Sequence, residues 1–314
     1  MPKFLPTSIQ PIYVAHFNLR ETPFSLTPNT NFFYEGADRG ETLEALCYAS
    51  QHTEGVITMT GEVGTGKTML SRMLIEKKPA NVEIVFVSNP ALDRDEIVLL
   101  IARELKVRNL IGLRPADIIR KLEARLIDLH MKGKRVLILI DEAHVMSLSA
   151  LEEVRLLSNL ETNRHKLLRI MLVGQDELNK TLETQEMRPL RERVTERFPL
   201  ALLSAADVAR YLSFRLRKAG AAPDTFSPKS VVALAKASKG INRRINILAE
   251  KALVAAYVAE SRTVELPHVE AAIKEANFSG LVKKRPASVF DVKWPSKWFS
   301  FRHLLSIRKA MLAH

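Results

Sequence analysis

Eight consecutive residues carry the clearest chemical signature in this sequence: Gly61, Glu62, Val63, Gly64, Thr65, Gly66, Lys67 and Thr68, which fit the pattern G-x-x-x-x-G-K-[ST]. Glycines let the backbone turn so that successive N–H groups point at one phosphate. The pattern predicts that Lys67 contacts the β- and γ-phosphates and that the Thr68 hydroxyl binds Mg²⁺. We therefore expect all eight residues to bind a nucleoside triphosphate.

A second pattern is the acidic pair Asp141 and Glu142, which directly follows five apolar residues. A continuous apolar run is typical of a buried parallel strand, and its carboxyl end lies at the edge of the sheet where phosphate-binding loops lie. We expect Asp141 to hold Mg²⁺, through water, and Glu142 to polarise the attacking water. We interpret the nearby His144 as a local structural or water-network residue.

Candidate phosphate-contacting residues also lie at the end of another predicted strand and at the start of a predicted helix. Gln175 ends an apolar strand and either senses the γ-phosphate or caps the strand. Arg243 and Arg244 lie in the first turn of a predicted helix, where a positive charge is unfavourable unless it faces an anion. Each of these two arginines is thus either a phosphate sensor or a surface charge.

The segment 187–198 is rich in arginine. We predict a helix there, with Arg193 and Arg197 on one face. That face is either solvated or offers an arginine finger to the nucleotide of a neighbouring subunit.

Secondary-structure elements that position these residues are predicted from apolar spacing and cap residues. Strands are expected at 55–60, 82–87, 134–140 and 167–174. Helices are expected at 41–52, after Lys67, and at 93–105, 115–131 and 147–160, followed by 204–219, 227–238, 242–260 and 267–276. Prolines and phenylalanines before residue 45 indicate loops and turns that cover apolar surface.

Composition restricts the class of protein. The chain has 314 residues, of which 46% are hydrophobic and 26% charged, which fits a large globular core with a smaller domain. A single cysteine excludes an internal disulfide framework. The start lacks the apolar stretch of a signal peptide, and no apolar run approaches the ~20 residues of a membrane span. We expect a cytoplasmic protein, in contact with the inner membrane at most peripherally.

Positive charge is concentrated in the last segment. The net charge is +12, and residues 281–314 contain eight lysines and arginines against one aspartate. This segment also holds both tryptophans and predicts an amphipathic helix. It either contacts a membrane or a partner, or packs on the ATPase body or an adjacent subunit.

Taken together, these motifs resemble AAA+ ATPases. The segments at 24–29 (FSLTPN), 61–68 (GEVGTGKT), 152–161 (EEVRLLSNLE) and 203–208 (LSAADV) are similar to the ExeA/GspA and MshM group, which serves type II secretion and MSHA-type (type IV) pilus biogenesis. The resemblance covers about residues 13–278. It implies an α/β fold, with a P-loop AAA+ parallel-sheet αβα core and a C-terminal α-helical lid.

The resemblance also implies roles for single residues. Arg197 is the first candidate for the arginine finger and Arg193 the second, because relatives place one before a Phe at the end of this segment. Arg243 is implied as the lid sensor, although Asn242 replaces the usual proline and Arg244 adds a second candidate.

The expected organisation has four parts: an N-terminal segment packing on the core (1–45), the P-loop ATPase core (46–200), the helical lid (201–280) and the basic amphipathic tail (281–314). Longer ExeA-type members carry a membrane span and a peptidoglycan-binding module. Neither is present in this sequence, which favours the MshM-like type.

Three functions follow from the sequence. The first is an ATPase in a ring-type homo-oligomer that acts with inner-membrane components of a pilus or secretion machine, with ATP and Mg²⁺ as ligands. The second is a DNA-associated AAA+ ATPase similar to transposition regulators and initiators, which the modest charge of the core disfavours. The third is a scaffold that binds ATP and barely hydrolyses it, which the presence of Lys67, Asp141 and Glu142 disfavours.

Overall fold

The computed structural model describes residues 11–88, 90–162, 165–222 and 224–276. Its centre is a sheet of five parallel strands in the order β2-β3-β4-β1-β5. The strands are β1 (Val56–Thr60), β2 (Val82–Val87), β3 (Arg135–Ile140), β4 (Leu168–Gly174) and β5 (Val194–Pro199). Every residue of β1 and β4 is buried, as expected for parallel strands that are covered on both faces.

Helices cover both faces of the sheet. The helices before β5 are α1 (Tyr13–His16), α2 (Arg39–His52), α3 (Lys67–Lys77), α4 (Arg94–Glu104), α5 (Pro115–Met131), α6 (Leu148–Leu157), α7 (Asp176–Glu183) and α8 (Arg188–Arg191). One apolar cluster joins α2 and α3 to one face, and a second joins α4, α5 and α6 to the other. This is the αβα core that the sequence predicts.

Four helices follow the sheet and form the lid: α9 (Ala205–Ala219), α10 (Pro228–Ser238), α11 (Asn242–Val258) and α12 (Leu266–Ala276). Their starts agree with the cap residues in the sequence. The Ser204 hydroxyl accepts from Asp207 N, and the Asp207 carboxylate accepts from Ser204 N, which is a capping box. The Ser227 hydroxyl caps α10 by accepting from Ser230 N, and a proline follows it in the first turn.

The segment that precedes α2 contacts both the lid and α3. The Tyr13 hydroxyl donates to Glu250 Oε2 at 2.6 Å, and Arg20 N donates to Ala219 O at 2.8 Å. On the other side, Arg72 of α3 donates to Pro28 O at 3.0 Å.

The predicted helix through Arg193 and Arg197 is wrong. Only Arg188–Arg191 is helical, and Val194–Pro199 forms β5, a fifth strand that the sequence interpretation missed. Alternating Arg and Glu imitate a charged helix face, but exposed charges are also usual on an edge strand, and Val194 and Thr195 favour extended backbone.

The remaining expectations about the tail lie outside the described residues. Among the described helices, none is both long and apolar enough to cross a membrane.

Candidate functional site

The loop from Gly61 to Thr68 connects β1 to α3, so it lies at the carboxyl end of β1, between β4 and β5 in the sheet. Gly64 and Gly66 adopt positive φ angles of 82° and 100°, which residues with a side chain rarely adopt. These conformations curl the loop over the N-terminus of α3, where unpaired N–H groups and the helix dipole favour an anion.

Lys67 is buried with only 6% of its surface exposed, at the first position of α3. Its Nζ donates to Gly61 O at 2.7 Å and to Glu62 O at 2.9 Å. Burial lowers the pKa of this ammonium, while the nearby carboxylates of Glu142 and Asp141 raise it. The side chain is thus held along the loop, at the start of the helix that would receive a phosphate.

Thr68 and Asp141 meet across the gap between α3 and β3. The Thr68 hydroxyl donates to Asp141 Oδ2 at 3.0 Å, and Glu142 N donates to Asp141 Oδ1 at 2.9 Å. Burial raises the pKa of the Asp141 carboxyl, and these two hydrogen bonds lower it. A hydroxyl and a carboxylate side by side are hard oxygen ligands of the kind that Mg²⁺ prefers.

Glu142, His144 and Gln175 form a chain of polar contacts. Gln175 Nε2 lies 2.7 Å from His144 Nε2, and His144 Nδ1 lies 3.4 Å from Glu142 Oε2. With the amide nitrogen as donor, His144 Nε2 accepts and its proton lies on Nδ1, on the side of Glu142. The histidine is therefore bonded to the residue at the end of β4, while its Nδ1 lies near the carboxylate after β3 without a hydrogen bond among the described residues.

The lid contacts the loop directly. Arg243 N donates to Gly64 O at 3.0 Å, and a Cβ atom at Gly64 would lie 2.7 Å from the Cβ of Arg243. Asn242, one residue earlier, has a buried Oδ1 without a hydrogen-bond partner among the described residues. Arg244 lies in the same turn and is also engaged within the protein.

One cavity brings these elements together. It is lined by loop residues 63–68, by Glu142 and Gln175, by Asn242 and Arg243 of the lid, and by residues 25–28 and 32–34 of the N-terminal segment. A phosphate-binding loop, the carboxylate of Glu142, the amide of Gln175 and an apolar side with Phe32 thus share one space, and this combination fits a nucleoside triphosphate.

Three lid residues in this cavity were missed in the sequence: Tyr211, Arg215 and Asn246. Arg215 is 4% exposed, its Nη1 donates to the Tyr211 hydroxyl at 2.8 Å, and its guanidinium lies 5.0 Å from the ring centre of Phe32. The Tyr211 hydroxyl in turn donates to Asn246 Oδ1 at 2.9 Å. The signal in the sequence that could have identified Arg215 is its position on the apolar face of the helix predicted at 204–219.

Neither finger candidate lines the cavity. Arg193 Nη1 donates to Arg155 O at 2.8 Å and to Ser158 Oγ at 2.7 Å, so its guanidinium binds the end of α6. Arg197 is exposed on β5, opposite Thr58, and its side chain makes no hydrogen bond or ion pair with the residues that the structure describes. Hydrogen bonds to α6 therefore fix the guanidinium of Arg193, whereas none of the described residues fixes that of Arg197.

Comparison with known proteins identifies a matching family and a relative of this chain. A family model described as an AAA domain matches residues 50–182. General secretion pathway protein A of Aeromonas hydrophila is 38% identical over 258 residues, which cover 81% of this chain and 46% of that protein. The chain therefore spans less than half the length of this relative.

Similar solved structures include CDC6P from Pyrobaculum aerophilum, with a TM-score of 0.62 and 18% identity over 82% of this chain and 71% of that one. The Aeropyrum pernix ORC1 protein in complex with DNA has a TM-score of 0.61 and 19% identity, covering 80% of this chain and 68% of that one. At this level of identity, both establish the shared AAA+ fold.

Proposed function

The chain belongs to the AAA+ ATPases related to general secretion pathway protein A, and on that basis we propose that it binds and hydrolyses ATP as a homo-oligomer in a secretion or pilus machine. The observation that carries the proposal is the single cavity shared by the phosphate-binding loop, Glu142, Gln175 and the lid residue Arg243. All four are close enough to act on one triphosphate.

We assign the residues as follows. The loop N–H groups and Lys67 bind the phosphates, and Thr68 and Asp141 would hold Mg²⁺, which would neutralise charge on the phosphates. Glu142 takes the proton of the attacking water, and Gln175 contacts the γ-phosphate side of the cavity. Arg243 extends from the lid towards the same phosphates and balances their charge.

The site is completed by a neighbouring subunit. Glu142 is half-exposed at the cavity, and no arginine other than the lid's Arg243 and the engaged Arg39 and Arg215 lines it among the described residues. We propose Arg197 as the finger supplied in trans because its side chain is exposed and has no hydrogen-bond or ion-pair partner within the described residues, with Arg193 as second candidate. An additional guanidinium stabilises the transferring phosphoryl group.

The cellular role proposed is assembly of a type II secretion machine or of a type IV, MSHA-like pilus. The support is the name and similarity of the Aeromonas hydrophila relative together with the motifs in segments 24–29 and 152–161. The partners proposed are inner-membrane components of that machine, with a peripheral membrane contact through residues 281–314.

The test is ATPase rate against protein concentration for the wild type and Glu142→Gln. Loss of the base leaves ATP affinity close to that of the wild type and lowers the rate by at least about 100-fold. The wild-type rate per subunit rises with concentration if a neighbour completes the site. A rate per subunit that is constant across the assembly range contradicts the finger in trans, and an active Glu142→Gln contradicts the assigned base.

Adding ligands to the same assay separates the cellular roles. Stimulation by anionic liposomes that disappears when residues 280–314 are deleted supports the membrane contact. Stimulation by DNA that falls steeply with salt replaces the secretion role with a DNA-associated ATPase, since counterion release makes DNA binding salt-dependent.

A further inference from the structure

Arg169 is a buried guanidinium that the nucleotide site does not use. It is the second residue of β4, at the amino end of the sheet, whereas the phosphate-binding loop lies at the carboxyl end. Only 3% of its surface is exposed, and its Nε and Nη1 are buried with no hydrogen-bond partner among the described residues. A buried charge without partners destabilises the folded state, so its presence points to a ligand that pairs with it.

A second arginine lies beside it. Leu137 of β3 is directly opposite Arg169, and Arg135 lies two residues earlier on the same face. The charge of Arg135, together with burial, lowers the pKa of Arg169. The carboxylate of Glu54 attracts Arg169 and raises its pKa, but Glu54 is exposed and makes no hydrogen bond to Arg169. Among the described residues, Arg169 forms no ion pair within 4 Å.

Two histidines extend the cluster. Arg135 Nη1 lies 3.5 Å from His130 Nδ1, and the rings of His130 and His165 are 5.3 Å apart. Burial lowers the pKa of His130, and the neighbouring side chains of Arg135, His165 and Arg169 lower it further. Four basic side chains from α5, β3, β4 and the loop before β4 thus converge at one edge of the sheet.

We propose that these four residues, the amino-edge cluster, bind a terminal phosphate group. Two guanidinium groups match the charge of a phosphate dianion, whereas a carboxylate carries only one negative charge. Arg169 is almost fully buried, so we expect it to contact only a small group, such as a free phosphate or the terminal phosphate of a lipid. The phosphates of a nucleic-acid backbone are linked to a sugar on both sides and fit less well.

The experiment measures binding of inorganic phosphate by calorimetry, with a non-hydrolysable ATP analogue and Mg²⁺ filling the nucleotide site. The variants are Arg169→Met and Arg135→Met. The control is Arg125→Met, because Arg125 lies on the same helix as His130 but is bonded to Leu105 O and the Asp128 carboxylate. We expect the phosphate Kd to rise at least about tenfold in both variants and to stay unchanged in the control.

A second set of samples contains vesicles of phosphatidic acid, which distinguishes a lipid source from free phosphate. Binding to vesicles alone, lost in Arg169→Met and Arg135→Met, supports the cluster with a lipid as ligand. Equal phosphate or vesicle binding in the wild type and in both variants overturns the proposal, as does absence of binding to either probe.

Thermal unfolding without phosphate gives an independent readout. Arg169→Met removes an unpartnered buried charge, so its melting temperature should equal or exceed that of the wild type, and added phosphate should stabilise only the wild type. A clear fall in melting temperature in Arg169→Met would show that Arg169 has a structural partner, and the proposal would be wrong.

Discussion

Replacing Gly64 by alanine tests the contact between the phosphate-binding loop and the lid. Gly64 has a φ of 82°, and an added Cβ would lie 2.7 Å from the Cβ of Arg243 and 3.1 Å from Ile241 Cγ2. The backbone strain costs about 1–2 kcal/mol, and overpacking adds about 1–3 kcal/mol. We therefore expect Gly64→Ala to lower the free energy of unfolding by about 2–5 kcal/mol and to weaken ATP binding at least about tenfold.

Gly112→Ala is the matched control. Gly112 has a similar φ of 75° in the connection between α4 and α5, and its added Cβ would have nothing within 4 Å. It should show only the strain of about 1–2 kcal/mol, with unchanged ATP affinity. The difference between the two variants isolates the effect of the lid.

Denaturant unfolding and equilibrium ATP titration measure both quantities. Removing the Cβ of Arg243 in a Gly64→Ala/Arg243→Gly double variant should recover part of the lost stability relative to the sum of the single changes. If Gly64→Ala and Gly112→Ala lose the same free energy, and ATP affinity is retained, the lid does not press on the loop at Gly64 and the reasoning fails.

Three further outcomes are expected. His144→Ala removes the contact with Gln175 and should lower kcat about tenfold with little change in KM, measured by steady-state ATP hydrolysis; equal effects of His144→Ala on both parameters would point to lost binding. Arg197→Ala should abolish the rise of the ATPase rate per subunit with protein concentration and leave the free energy of unfolding unchanged. Arg193→Ala should lower the free energy of unfolding by about 1–3 kcal/mol. The reverse result would exchange the roles of the two arginines. Burial raises the pKa of Glu250, so the folded state binds this proton more tightly than the unfolded chain, and the stability of the protein falls as pH rises through the raised pKa. We therefore expect Glu250→Gln to be more stable than the wild type at pH 8, with a difference that disappears towards acidic pH. A stability difference that is constant with pH would exclude this cause.

The parts of the site that local sequence predicts are those made by one continuous segment. The loop around Lys67 needs glycines and a following helix within a few residues, and Asp141 needs only a buried strand before it. Both conditions can be recognised without tertiary structure. The strands β1 to β4 could be predicted for a similar reason, since each is a short, mostly apolar segment, although Glu83 interrupts β2 and Arg169 interrupts β4.

The parts that escaped prediction depend on neighbours that are distant in sequence. β5 has the composition of a charged helix, and only its pairing with β1 makes it a strand. Arg215 reaches the cavity because Phe32 and Tyr211 pack around it, and Arg193 is fixed by two oxygen atoms at the end of α6. None of these contacts follows from spacing along the chain.

The same dependence explains how the cavity can link nucleotide and lid. The backbone of Arg243 is bonded to the loop at Gly64, while the N-terminal segment binds α3 through Arg72 and the lid through Arg215, which donates to Pro23 O. The lid is thus attached to the core on two sides of one cavity. A ligand that shifts the loop must strain or move at least one of these attachments, because packed interiors do not deform continuously. A rotation of α9 to α12 is therefore the expected mechanical consequence of a change at the phosphates.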